Sequence, residues 1–446
     1  MTVNETQKGA GKVAVTYTLR ALDAQLDTGS EDCVRRVLDM AISREEFRGL
    51  KEAVKVIRAT KRFRDVVDTF KVPEGETPAG FRVESALEGD GALCVDLVRD
   101  ISYDKNGVKR PTGLLFSADS ANPYEVGHIA PLLANLTCNP GIVYDLFINN
   151  PEANVGGRFQ TRDEVMTELG RVLGPGCDIS VELNNPFEED FDKILEECET
   201  FKKILSEYRL VVKVPHTGPV NGGNVGQLLE GNKRLNVRYD RAAAEDALRG
   251  HNLALKLREH GYRINFTLMF EPYQTALALQ AKPYFINSFV RHRLKQTEEI
   301  RTLLGFYAAT EDPRHLEAIR TVLIQNDYLS KDEEDADLLR VLKLAKDVAR
   351  YRGIETPDGA DGLDSVRHNL RLLRDVNLAD TRLIICSMEG DYNYPDIDNL
   401  MADPDYADVV DRIVITAEPG YLARFASANQ VVSYQRRFMN AARGQK

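Results

Sequence analysis

A lysine in the middle of an apolar run calls for a physical explanation. Lys213 sits in Leu-Val-Val-Lys-Val-Pro, residues 210–215. Desolvation disfavours an ammonium, so a lysine buried there is expected to have a lowered pKa and a neutral, nucleophilic amine, as imine formation with a carbonyl requires. The same run also fits an edge strand whose lysine stem lies along apolar surface while its head reaches solvent. Polar groups on other apolar runs favour the first reading. Asp119 ends Leu-Leu-Phe-Ser-Ala-Asp, Asn139 ends Asn-Leu-Thr-Cys-Asn, Glu182 lies in Asp-Ile-Ser-Val-Glu-Leu, and Asn265 and Thr267 lie in Ile-Asn-Phe-Thr-Leu. Two carboxylates at separate points of one site can hold different pKa values and divide proton transfers between them.

Those side chains need a scaffold that brings several strands to one place. From residue 111 the chain alternates short apolar runs with helical stretches. The runs are 114–116, 179–183, 210–214, 264–270, 383–386 and 413–415. Such alternation predicts parallel strands with crossover helices, in a barrel or a wound sheet, and in a barrel the polar strand ends converge at the C-terminal mouth. One crossover helix is plain between 186 and 209. Phe187, Phe191, Ile194, Leu195, Cys198, Phe201, Ile204 and Leu205 form a stripe, with acids early and Lys202 and Lys203 late, as the helix dipole prefers. Residues 13–70 read as helical, with Leu50, Val54, Ile57, Phe63, Val66 and Val67 at helical intervals, and Pro73, Gly75, Pro78 and Gly80 then break the pattern. The expected organisation is a helical extension over 1–110 and a barrel over 111–446. Two insertions interrupt that barrel, a Gly- and Asn-rich flexible loop at about 219–240 and a charged helical segment at 294–380.

Residues 113–300 resemble the transaldolase family. The asparagine signature is matched by Thr137-Cys138-Asn139-Pro140-Gly141-Ile142-Val143 and the lysine signature by Leu210-Val211-Val212-Lys213-Val214-Pro215-His216-Thr217. Asn265-Phe266-Thr267-Leu268-Met269-Phe270, then Gln274 and Ala276, and Phe285-Ile286-Asn287-Ser288-Phe289-Val290 follow in the same order. The resemblance implies an α/β fold, a (β/α)8 TIM barrel of the class I aldolase type, in which Lys213 forms a Schiff base with a donor ketose. It implies that Asp119 exchanges a proton with the donor's C4 hydroxyl, and that Glu182 acts through a water held by Thr267. Asn139, Asn265, Asn287, Ser288 and Phe289 would bind the three-carbon unit. The implied reaction moves a dihydroxyacetone unit from a ketose or ketose phosphate to an aldehyde, with neither cofactor nor metal. Relatives that merely release the ketone tend to lack the glutamate and to carry tyrosine where this chain has Phe289, so both residues favour transfer.

The pattern departs from the family where phosphate is bound. The arginine expected after the Phe289 motif falls on His292, flanked by Arg291 and Arg293, and the Ser-Phe-Arg of the seventh strand becomes Ser387-Met388-Glu389. Three readings stay open. Arg291 or Arg293 serves the phosphate after a local shift, Arg234 or Arg238 reaches over from the Gly-rich loop, or the substrate is not a standard sugar phosphate. A binding or scaffold protein that has lost activity is the alternative of another class, and the intact lysine, acid and amide positions weigh against it.

Composition narrows the partners. Lys and Arg number 58 against 69 Asp and Glu, a net charge of −11, which disfavours wrapping nucleic acid or coating an anionic membrane. The polar first twelve residues lack the apolar core of a signal peptide, and no run approaches eighteen apolar residues, so a cytoplasmic protein is expected. The six cysteines, Cys33, Cys94, Cys138, Cys177, Cys198 and Cys386, show no metal-ligand spacing and read as reduced and mostly buried. G-x-S-x-G, H-E-x-x-H and a P-loop lysine are absent, and Gly222-Gly223-Asn224-Val225-Gly226 lacks phosphate-loop spacing. The expected partner is a small sugar or sugar phosphate. A homodimer is compatible with the sequence, which does not fix the oligomeric state.

Overall fold

The computed structural model describes residues 16–351, 359–386 and 393–444. The chain divides into two compact units, one from the described part of Met1–Thr112 with Leu173–Asp178, the other from Gly113–Val172 and the described part of Ile179–Lys446.

The first unit is not a helical extension. It carries a four-stranded sheet in the order Gln25–Leu26, Val56–Ala59, Ala92–Arg99, Phe81–Leu87, the last pair antiparallel and the others parallel. Helical spacing through Val54 and Ile57 gave the wrong element there, because a four-residue β-strand is too short to display a period. The alternation Leu93, Val95, Leu97, all buried, is the period-2 signal of the longest strand. Helix Lys61–Phe70 does form. Thr60 caps it by accepting from the Phe63 amide at 3.0 Å, and Phe63, Val66 and Val67 are buried.

The second unit is a closed barrel of eight parallel strands: β1 Leu115–Asp119, β2 Leu133–Cys138, β3 Asp178–Glu182, β4 Leu210–Pro215, β5 Ile264–Thr267, β6 Phe285–Phe289, β7 Arg382–Cys386 and β8 Ile413–Ala417. β8 pairs with β1, which closes the ring. β4 is buried along its whole length, so Lys213 is a lysine of an interior strand and not of an edge. The stripe helix spans Phe191–Leu205 and packs against β4 with Ile194, Cys198, Phe201 and Leu205 buried. A fully buried phenylalanine such as Phe201 stabilises the fold by roughly 1.5–3 kcal/mol.

Beneath the mouth the barrel interior is polar and fully hydrogen-bonded in series. The Thr416 hydroxyl lies 2.7 Å from Ser117 Oγ, Asn135 Nδ2 donates to Ser117 Oγ at 2.9 Å, and Ser180 Oγ donates to Asn135 Oδ1 at 3.2 Å. All four are at most 2% exposed. A satisfied buried network of this kind fixes strand register, because sliding one strand would orphan its neighbours' donors.

Between β6 and β7 the charged segment folds into helices His292–Thr310, Pro313–Gln325 and Leu338–Tyr351. They share a core of Ile300, Leu316, Ile319, Leu323, Leu329, Val341 and Ala345. The next helix, Asp364–Asp375, packs on β6 and β7. The segment after β4 is irregular apart from one turn, Val225–Leu228, and it is tethered to those helices. Arg234 pairs with Glu334 at 2.9 Å and donates to the Leu329 carbonyl, and the Lys331 amide donates to the Leu235 carbonyl at 3.0 Å.

Candidate active site

The barrel positions its polar groups by register. Lys213 of β4 lies level with Glu182 of β3 and Asn265 of β5, while Asp119 of β1 lies level with Thr137 of β2. All of these except Asn265 line a cavity of about 300 Å³, whose walls are Asp119, Thr137, Asn139, Pro140, Glu182, Lys213, Thr267, Leu268, Asn287, Phe289, Cys386 and Thr416. That volume stands at the lower end of ligand pockets, roughly 300–1,000 Å³.

Lys213 is 6% exposed, and its ammonium stands 3.3 Å from the Glu182 carboxylate. Burial pulls the amine down, but the charges of Glu182 and Asp119 outweigh it and hold the lysine above its ordinary value. The expected lowering is therefore corrected: desolvation acts in the predicted direction, and two carboxylates overcome it. Burial pushes both carboxyls up, Asp119 against the pull of Lys213 and a hydrogen bond from Thr137 Oγ1 at 2.8 Å, and Glu182 against the pull of Lys213. Three titratable groups thus share a desolvated space. A proton can pass between the lysine and Glu182 with little change in the charge of the site.

The amides are prepared for hydroxyl ligands. Asn139 Oδ1 caps the following turn by accepting from the Ile142 amide at 2.9 Å, which leaves its NH2 for a substrate. Asn287 Nδ2 donates to Asn265 Oδ1 and to the Phe266 carbonyl, and the Cys386 thiol donates to Asn287 Oδ1 at 3.3 Å. Asn265 is fully buried, and its Nδ2 has no hydrogen-bond partner among the described residues. An unsatisfied buried donor costs about 1–3 kcal/mol, a penalty that a substrate oxygen would remove. Phe289 lines the cavity and packs, tilted, against Phe270 with ring centroids 4.4 Å apart.

Not every expected residue joins them. Ser288 faces away from the barrel interior because successive strand residues point to opposite sides; its hydroxyl lies 3.1 Å from Ser365 Oγ on helix Asp364–Asp375. Arg291, His292 and Arg293 are also outside the lining. Arg293 is held by Glu271 at 2.8 Å and Asp364 at 2.9 Å, Arg291 by Asp396 and the Asp361 carbonyl, and the His292 ring packs on Phe270. Ser387 lies outside the described residues. Thr137, Leu268, Cys386 and Thr416 line the cavity without having been singled out, although the inward alternation of Asn135 and Thr137 along β2 would have found Thr137.

A family model described as Transaldolase/Fructose-6-phosphate aldolase matches residues 116–319. This segment belongs to that family. Its members are class I aldolases, and the match takes in β1 to β6, hence Asp119, Asn139, Glu182, Lys213, Asn265, Thr267, Asn287 and Phe289. β7 and β8 lie beyond the match and close the barrel, supplying Cys386 and Thr416. No curated protein matches the chain.

Among the described residues no group of three or more His, Cys, Asp or Glu could hold a metal, and no helix is long and apolar enough to cross a membrane. All six cysteines are free, and all but Cys94 are buried.

Proposed function

We propose that the chain transfers a three-carbon dihydroxyacetone unit from a ketose to an aldehyde through a Schiff base on Lys213. The observation that carries this reading is the buried amine 3.3 Å from Glu182 in a cavity that also holds Asp119. In the ligand-free site Lys213 is an ammonium, so Glu182 must first take its proton. The freed amine adds to the ketone carbon; Glu182 gives its proton to the new oxygen, takes a second from the nitrogen to complete the carbinolamine, and passes that to the hydroxyl, which leaves as water. Thr267 lines the same wall and holds the relaying water in this reading. The protonated imine then accepts the electron pair released as the C3–C4 bond breaks. Asp119 takes the C4 hydroxyl proton as the aldehyde departs, and its raised pKa suits it to return that proton when the acceptor adds. Asn139, Asn265 and Asn287 hold the hydroxyls of the enamine between the two half-reactions.

Transfer rather than release is supported by Phe289 and Leu268, apolar surface beside the imine that limits access of water to the enamine. The test is reductive trapping with dihydroxyacetone followed by peptide mass mapping, paired with product analysis from a ketose donor and glyceraldehyde. A three-carbon adduct on Lys213 and a new ketose are expected. A folded protein that gives no adduct on Lys213 is not a Schiff-base enzyme.

A further inference from the structure

Among the described residues, the four arginines that the sequence offers for a phosphate, Arg234, Arg238, Arg291 and Arg293, are each paired with the chain's own acids. Arg293, with a side chain 12% exposed, has Glu271 at 2.8 Å and Asp364 at 2.9 Å. Arg291 pairs with Asp396 and donates to the Asp361 carbonyl at 2.9 Å. Arg234 pairs with Glu334 at 2.9 Å and Asp327 at 3.5 Å, and Arg238 pairs with Asp240 two residues on. Drawing any of them to a ligand would leave a carboxylate behind without its partner. The cavity itself is anionic. Among the described lining residues Lys213 is the one cation, against Asp119 and Glu182, and the nearby Glu418 charge adds to the upward push on Asp119.

A phosphate dianion entering this space meets two carboxylates in a poorly screened environment. A neutral polyol meets matched partners instead: the amides of Asn139 and Asn287 and the hydroxyls of Thr137 and Thr267. We infer that the substrates are uncharged, a polyhydroxy ketone donor and a neutral aldehyde acceptor, not the phosphate esters that the family's description names. The inference rests on the Schiff-base reading above.

The experiment is reductive trapping on Lys213 of the full chain with dihydroxyacetone, fructose and fructose 6-phosphate, each concentration corrected for its open-chain ketone. Fructose is expected to reach half-maximal labelling at a concentration at least about tenfold lower than fructose 6-phosphate, since like charges raise the cost of the ester alone. Labelling by fructose 6-phosphate at an equal or lower concentration than fructose overturns the inference and leaves the Schiff base standing. Absence of an adduct even with dihydroxyacetone, which carries no phosphate, overturns the Schiff-base reading and the inference with it.

Discussion

In Glu182→Gln the carboxylate 3.3 Å from the Lys213 ammonium becomes a neutral amide of nearly the same shape. At an effective dielectric of about 20, unit charges at that separation attract by about 5 kcal/mol, an upper limit because the amide oxygen still accepts a hydrogen bond. Breaking a buried ion pair from one side usually costs about 3–5 kcal/mol. Here Asp119 remains as a counter-charge, so the expected loss of stability falls at or below the lower of those figures. The titration moves in a known direction. Glu182 is the larger of the two charges that raise Lys213 against its burial, so without it the amine titrates at lower pH. Chemistry moves the other way: the group that in the proposed reaction carries protons on and off the carbinolamine is gone, and general acid–base catalysis is worth about 10²–10⁴ in rate. The assay is the single-turnover rate of imine trapping with dihydroxyacetone, followed from mildly acidic to alkaline pH. The variant should show a plateau lowered by at least about a hundredfold and an inflection displaced to lower pH. An inflection that stays in place or rises would refute the claim that Glu182 sustains the lysine's charge. A normal plateau would remove Glu182 from the proton path.

Three further perturbations test other parts of the site. Asp119 has its folded pKa raised by burial, so the folded protein binds that proton more tightly than the unfolded chain, and stability is lost as pH rises from the unfolded toward the folded value. At neutral pH Asp119→Asn should therefore raise Tm while abolishing C–C cleavage, and a lower Tm with retained cleavage would contradict both roles. A Cβ on Gly250 would sit 2.3 Å from the Pro215 carbonyl oxygen at the end of β4, so Gly250→Ala should cost about 1–3 kcal/mol in denaturant unfolding and slow trapping at Lys213, whereas an unchanged midpoint would show that the helix shifts freely. Burial holds the Cys386 thiol above its ordinary value. Iodoacetamide at neutral pH should leave it unmodified in peptide maps while trapping continues, and its rapid alkylation would show a thiolate in the site.

The candidate constellation was legible because a charged or amide side chain inside an apolar run has few inexpensive structural uses. Lys213, Glu182 and Asp119 each break such a run, and strand register brings all three to one cavity. The barrel was legible through repetition of strand and helix, which survives errors of a residue or two at each boundary. Three things were not. A strand as short as Val56–Ala59 has no period to read, so the sheet of the first unit looked helical. The side of the strand on which Ser288 falls depends on register, which spacing from Phe289 could have supplied. The engagement of Arg291, Arg293 and Arg234 depends on acids 22 to 105 residues away. No local pattern announces such partners.

The tether between the segment after β4 and the helices before β7 also has a kinetic meaning. Arg234, Asn232 and Leu235 hold on to Glu334, Leu329 and Lys331, and Tyr239 meets Tyr328 edge to face at 5.6 Å. Because the three helices have a core of their own, they can open as one cooperative unit without the barrel. When they open, the segment that follows the lysine strand loses its anchor in the same event. Amide hydrogens of both regions should then exchange with a common opening rate, slower than an untethered loop and faster than the strands around Lys213.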